Sequence, residues 1–179
     1  MVRAPFFALT MASAIAFAAV APVRAQAVAD PGRSLDAAFV AKASDAAAVD
    51  AELATLAVSR ARAAAVKAFA KQVLDTHAAL ARELAAIGRT PPLAGPAKVD
   101  ATPPDAMKAV AALRSVPPAR FDAAFVAGMV ASREAAVALF EAESRDGRDA
   151  EVKEWAARQL PALREQLDAV RALRPRPSS

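Results

Sequence analysis

The chain contains no cysteine, no tyrosine and only one histidine, His77. Without cysteine it can form no disulfide, run no thiol redox chemistry and offer no thiolate to a metal, so its stability rests on packing alone. One histidine also rules out every metal centre that needs two or more imidazoles. Glycine is scarce, at five residues, and the thirteen prolines are concentrated outside the periodic apolar runs. No stretch alternates apolar and polar residues as a half-buried strand would.

What remains is an alanine-rich chain of 179 residues, 56% hydrophobic but only 5% aromatic. Alanine has the highest helix propensity and the smallest helix-compatible side chain, which predicts closely packed helices around a thin core. The fold class expected is all-α, and the length suits one domain.

Residues 1–25 read as a cleaved signal peptide. Arg3 forms a short basic start, Pro5 to Val20 an apolar run, and Val23-Arg24-Ala25 places small residues at the −3 and −1 positions of a cleavage site. Ala25-Gln26-Ala27 offers a second site. Loss of Arg3 and Arg24 would take the formal charge from +4 to +2. The remaining charges are mixed along the helices without a basic stripe or interleaved aromatics, so no nucleic-acid partner is expected. The expected location is the periplasm, and no other long apolar run suggests a membrane span.

The rest divides into residues 26–34 as a linker, 35–173 as a helical domain and 174–179 as a disordered basic tail. Asp30-Pro31-Gly32-Arg33 reads as a turn, with Ser34 or Asp36 capping a helix that runs from Leu35 to about Arg60. Its stripe is Phe39, Ala43, Ala46, Leu53 and Ala57, with Asp50 in phase. A second helix follows from about Ala64 to Ile87, closed by Gly88 as a C′ glycine. An unbroken helix from 35 to 87 would be roughly 80 Å long, too long for one small domain, so a turn is expected near residues 60–64. Residues 88–118 form a proline-rich crossover holding one short helix, about Asp105 to Ser115. A third main helix runs from about Ala119 to Arg145, and a fourth from about Asp149 to Leu173, with Pro161 expected to bend it. Two hairpins joined by a long crossover are the ferritin-like form of a four-helix bundle, in which sites are built from inward-pointing side chains.

Each main helix carries a polar residue on or beside its apolar stripe. Asp50 lies in the first, His77 in the second, Arg133 in the third, and Gln166 flanks the fourth. The first three fall near their helix midpoints and should share a layer, with Gln166 about one turn away, ~5 Å. If buried, Arg133 and Asp50 must pair, because either charge alone there would cost several kcal/mol. Other readings stay open: Arg133 snorkelling to water, Asp50 and Gln166 solvated at the stripe's edge, and His77 a satisfied core histidine. Trp155 with Phe121, Phe125 and Phe140 reads as core packing. The run Glu141, Glu143, Arg145 and Asp146 reads as a solvated helix end.

The segments Phe39-Val40-x-x-Ala43, Val66-Lys67-Ala68-Phe69-Ala70 leading to His77, Phe121-Asp122 leading to Met129-Val130, and Leu160-Pro161-x-Leu163 together carry a resemblance. Over about residues 35–173 the chain resembles the bacterial domain-of-unknown-function 4142 family, whose members are exported, ferritin-like bundles without an established activity. The resemblance implies an inward cluster of histidines and carboxylates suited to a metal or a ligand. This chain departs from it: family members usually have histidines at the positions of Arg133 and Gln166, Asp at Thr76 and Glu at Asp50.

A ferritin-type di-iron centre needs two Glu-x-x-His pairs and two further carboxylates, which one histidine cannot supply. A single divalent transition metal on His77 and Asp50 is the alternative, but the permanent charge of Arg133 would stand beside it. No cofactor is therefore expected. Nor is an enzyme: no serine has a histidine at a triad-like spacing, the paired acids sit on helix surfaces, and no glycine-rich phosphate loop exists. The expected function is that of a non-enzymatic bundle in the cell envelope with a degenerate inner polar site. Metal or small-ligand binding at the bundle centre is the alternative, and envelope association through the basic tail is a third reading. An envelope protein, a membrane surface or a second copy of the chain are the partners left open.

Overall fold

The computed structural model describes residues 31–89 and 104–174. All secondary structure among them is helical: α1 (Pro31–Arg60), α2 (Ala64–Ile87), α3 (Pro104–Ser115), α4 (Pro118–Asp146) and α5 (Ala150–Ala172). The expected signal peptide, residues 26–30 of the expected linker, residues 90–103 of the proline-rich crossover and the last five residues of the expected tail lie outside the described residues.

The helix limits follow local chemistry. α4 opens with proline in its first turn, where no backbone N–H is needed. Asp149 caps α5 by accepting hydrogen bonds from the backbone N–H groups of Glu151 and Val152. α5 continues through Pro161, which faces solvent. Two expectations are corrected. α1 begins at Pro31 rather than Leu35, so residues 31–34 are helix and not linker or turn, and Asp36 lies inside the helix rather than capping it. Gly88 has φ −63°, so it does not close α2 through a left-handed turn.

α1 packs along α2 and α4 along α5, each as a helical hairpin. The hairpins meet mainly through α1 and α4, whereas α2 and α5 touch only lightly, and α3 lies against α1 and α4. α4 has the length and composition to cross a bilayer, with a mean hydropathy of 1.5 over its most apolar window, contrary to the expectation that no such segment follows the leader. Alanines supply much of that value. In the fold α4 packs on α5, α1 and α3, and it carries a buried arginine near its middle.

The two hairpins repeat one another in sequence. Asp36-Ala37-Ala38-Phe39-Val40-Ala41 in α1 recurs as Asp122-Ala123-Ala124-Phe125-Val126-Ala127 in α4. At the same offset Val66 corresponds to Val152, Phe69 to Trp155 and Ala70 to Ala156, and all six are buried. The contacts repeat as well. The Asp122 carboxylate accepts from the backbone N–H groups of Arg62 (3.0 Å) and Ala63 (2.8 Å) at the α1–α2 turn. The Asp36 carboxylate accepts from those of Arg148 (2.9 Å) and Asp149 (2.8 Å) at the α4–α5 turn. Each hairpin thus holds the other's turn through an aspartate near its own start, satisfying helix-start donors that have no partner within the helix. The repeat is legible in the sequence as the shared Asp-Ala-Ala-Phe-Val-Ala segment.

The core falls into two apolar clusters. One gathers Phe69, Phe121, Phe125 and Met129 with residues of α3 around the α1–α2 turn. The other gathers Phe39, Phe140, Trp155 and Leu84 around the α4–α5 turn. The aromatic set is therefore split: Trp155 packs with Phe140 (ring centroids 5.5 Å apart) and Phe39 (6.2 Å), while Phe121 and Phe125 belong to the opposite end. On every long helix the residues of one cluster give way to the other around Asp50, His77, Arg133 and Gln166.

Candidate functional site

At this boundary three of the four inner polar residues touch. Asp50 is 2% exposed, His77 5% and Arg133 1%. Arg133 therefore does not snorkel to solvent, and Asp50 is not at a solvated edge. The Nη2 group of Arg133 donates to Asp50 Oδ2 at 2.9 Å and to His77 Nε2 at 2.7 Å. His77 Nε2 and Asp50 Oδ2 are themselves 4.0 Å apart, with the guanidinium nitrogen bonded to both.

Their charge states follow from burial and from each other. Guanidinium can only donate, so His77 Nε2 must accept, which places the imidazole proton on Nδ1 and leaves the ring neutral. Burial, aided by the charge of Arg133, lowers the His77 pKa to about 4. Burial raises the pKa of Asp50, and the charge of Arg133 with hydrogen bonds from Ser132 and Arg133 pulls it back. Burial likewise lowers that of Arg133 against the pull of Asp50. The two ions are each other's compensation in a medium that favours neither alone.

Ser132 completes the carboxylate's environment, its hydroxyl lying 2.7 Å from Asp50 Oδ1 and 2.9 Å from Oδ2. The sequence offered no signal for it beyond its place beside Arg133. Gln166 is not part of the pair. It is half-buried, and its amide donates to Thr76 Oγ1 at 3.4 Å.

The layer has more donors than acceptors. Arg133 Nε and His77 Nδ1 are buried without a hydrogen-bond partner. Both bonds of the guanidinium leave through Nη2, and among the described residues none accepts from Nη1. Two cavities border this surplus. One, of about 120 Å³, lies between α1 and α4 and reaches Asp50 and Ser132. The other, of about 210 Å³, lies between α2 and α5. Both are lined by His77, Leu80, Arg133, Phe140 and Leu163.

A second buried polar cluster sits at the α4–α5 turn, where the sequence suggested a solvated helix end. Glu143 is 7% exposed and Asp36 0%. Burial raises the Glu143 pKa to about 7, helped by its hydrogen bond to Asp36 and by the charges of Asp36 and Asp149, and opposed by Lys153. A proton held on Glu143 can be donated to Asp36. Gly147 is required by close approach here, because a Cβ on it would lie 2.6 Å from the Glu143 carbonyl oxygen and 2.7 Å from Glu143 Oε1. Spacing could not reveal this cluster, since Glu143 meets Asp36 only when the two hairpins pack.

Among the described residues no group of three or more histidine, aspartate or glutamate side chains is placed to hold a metal ion. Asp50 and His77 are the two metal-ligating side chains in the layer, and Arg133 Nη2 is bonded to the ligating atom of each.

The family model described as Domain of unknown function (DUF4142) matches residues 21–173, and the chain belongs to this family. No curated protein and no solved structure matches it.

Proposed function

We propose, starting from membership of that family, that the chain is an exported, non-enzymatic four-helix bundle of the ferritin-like type. It acts in the cell envelope through its surface and partners, and its inner polar layer has become structural. The paired hairpins joined by a crossover support the bundle reading. The pattern of the first 25 residues supports export to the periplasm.

One observation carries the reading of the layer: Arg133 Nη2 bonds simultaneously to Asp50 Oδ2 and His77 Nε2. A metal ion bound by those two atoms would have to lie roughly 2.0–2.2 Å from each, in the space that the guanidinium nitrogen and its hydrogens fill. Arginine cannot give up its proton to make room, so a cation would have to displace the whole side chain and leave it buried and unpaired. The alternative, a single divalent transition metal on His77 and Asp50, therefore requires a rearranged core.

Elemental analysis of protein purified without chelator tests the layer. Sub-stoichiometric iron, zinc and copper are expected, and one bound equivalent of any of them would reject a structural layer. Fractionation of cells expressing the tagged chain tests location. A shortened chain in the periplasmic fraction is expected, and a full-length chain confined to the cytoplasm would reject export.

A further inference from the structure

The α2–α5 cleft is open at the place where the layer has donors to spare. It is the looser of the two hairpin seams, and at about 210 Å³ the larger of the two cavities that border Arg133. Its walls are apolar around Leu80, Phe140, Leu163 and Ala162; Thr76, Gln159 and Gln166 add neutral polar groups, and Glu83 adds a carboxylate at the rim. The buried groups of the layer that it borders have unused N–H groups on Arg133 and His77 and no unused acceptor among the described residues. A buried polar group without a partner is costly, so a ligand that brings an acceptor gains more here than one that brings a donor.

Charge narrows the class further. The guanidinium is already matched by Asp50, His77 is neutral, and the Glu83 carboxylate accepts from Trp155 Nε1 and Gln159 Nε2. A full anion added to this closed pair would be uncompensated, whereas a neutral carbonyl oxygen supplies the missing acceptor without adding charge. We infer that the α2–α5 cleft binds a small neutral carbonyl compound of the amide or ketone class, its oxygen accepting from Arg133 and its apolar body lying along Leu80, Phe140 and Leu163. The inference rests on the arginine-held layer proposed above. Failure to bind a carbonyl compound leaves the layer standing, while bound metal would remove both.

The test uses hexanamide, hexanoate and hexylamine on the purified chain near neutral pH, followed by ligand-detected NMR and by the Arg133 Nε–H resonance. Hexanamide is expected to bind saturably and shift that resonance, roughly tenfold or more tighter than hexanoate, whereas hexylamine, which brings no acceptor, should leave the resonance unmoved. Ala162→Phe, at an exposed position on the α2–α5 cleft, should weaken hexanamide about tenfold or more. Ala46→Phe, at an exposed position on the α1–α4 cavity, should leave the affinity within about twofold, with helicity and melting temperature preserved in both variants. No saturable binding of hexanamide would overturn the inference. So would hexanoate binding as tightly, an unmoved Arg133 resonance, or equal affinity in Ala162→Phe and the wild-type chain. If Ala162→Phe fails to fold, the Arg133 resonance and the order of the three probes decide.

Discussion

Asp36 and Asp122 hold equivalent turns from equivalent positions in the two hairpins, yet their surroundings differ. Asp122 is half-buried at the α1–α2 turn, where the position corresponding to Glu143 is Ala57. That end is closed instead by Arg60, whose guanidinium donates to the carbonyls of Arg114 (2.6 Å) and Val116 (2.8 Å) at the end of α3 and lies 4.6 Å from the centre of the Phe121 ring. Asp36 is fully buried, and Glu143 lies beside it. One repeated clamp therefore serves in two electrostatic settings: one neutralised by backbone donors alone, the other coupled to a second buried acid whose pKa is pushed up to about 7. Sequence repetition preserved the clamp, while packing partners decided its sensitivity to pH.

Among the changes at the two turns, the largest expected effect sharpens that difference. A carboxyl whose folded pKa is raised from 4.5 to about 7 favours the folded state while protonated, and this contribution is lost as pH rises through that window. Chemical denaturation at stepped pH should show stability falling by up to about 3 kcal/mol across it, and Glu143→Gln should flatten that slope. An unchanged slope in the variant would assign the pH dependence to another group. Next in size, Asp36→Ala leaves the N–H groups of Arg148 and Asp149 without their fully buried acceptor in a part-buried turn, and should cost about 2 kcal/mol by urea unfolding. Asp122→Ala at the more exposed end lets water reach Arg62 and Ala63, and should cost about 1 kcal/mol. Equal losses at the two ends would break the comparison. Smallest is Ser132→Ala, which removes one hydroxyl from Asp50 and should cost no more than about 1 kcal/mol, read from the same unfolding curves.

Much of the helical order was legible because its signals are local. Periodicity placed α2 at its observed limits, and α4 and α5 start within one residue of the expected positions. The start of α1 differs from the expected one because Pro31 and Gly32 look like a turn, yet a helix tolerates proline in its first turn. Helical phase also brought Asp50, His77 and Arg133 onto inward faces, and burial then forced the charges together. What phase could not give was any residue whose role depends on how the hairpins meet. Ala46 is exposed while Ala47 takes the core position, Ser132 reaches across to α1, and Glu143 points into a turn that looked solvated. Each is settled by a neighbour many positions away in sequence, and neither propensity nor spacing encodes that neighbour.

The central claim is that Arg133 and Asp50 stabilise the core only as a pair. A double-mutant cycle read by chemical denaturation tests it most directly. Arg133→Leu alone should lose about 3–5 kcal/mol by stranding a buried carboxylate, and adding Asp50→Leu should restore more than half of that loss. Additive losses, with the double variant less stable than Arg133→Leu, would contradict the pairing.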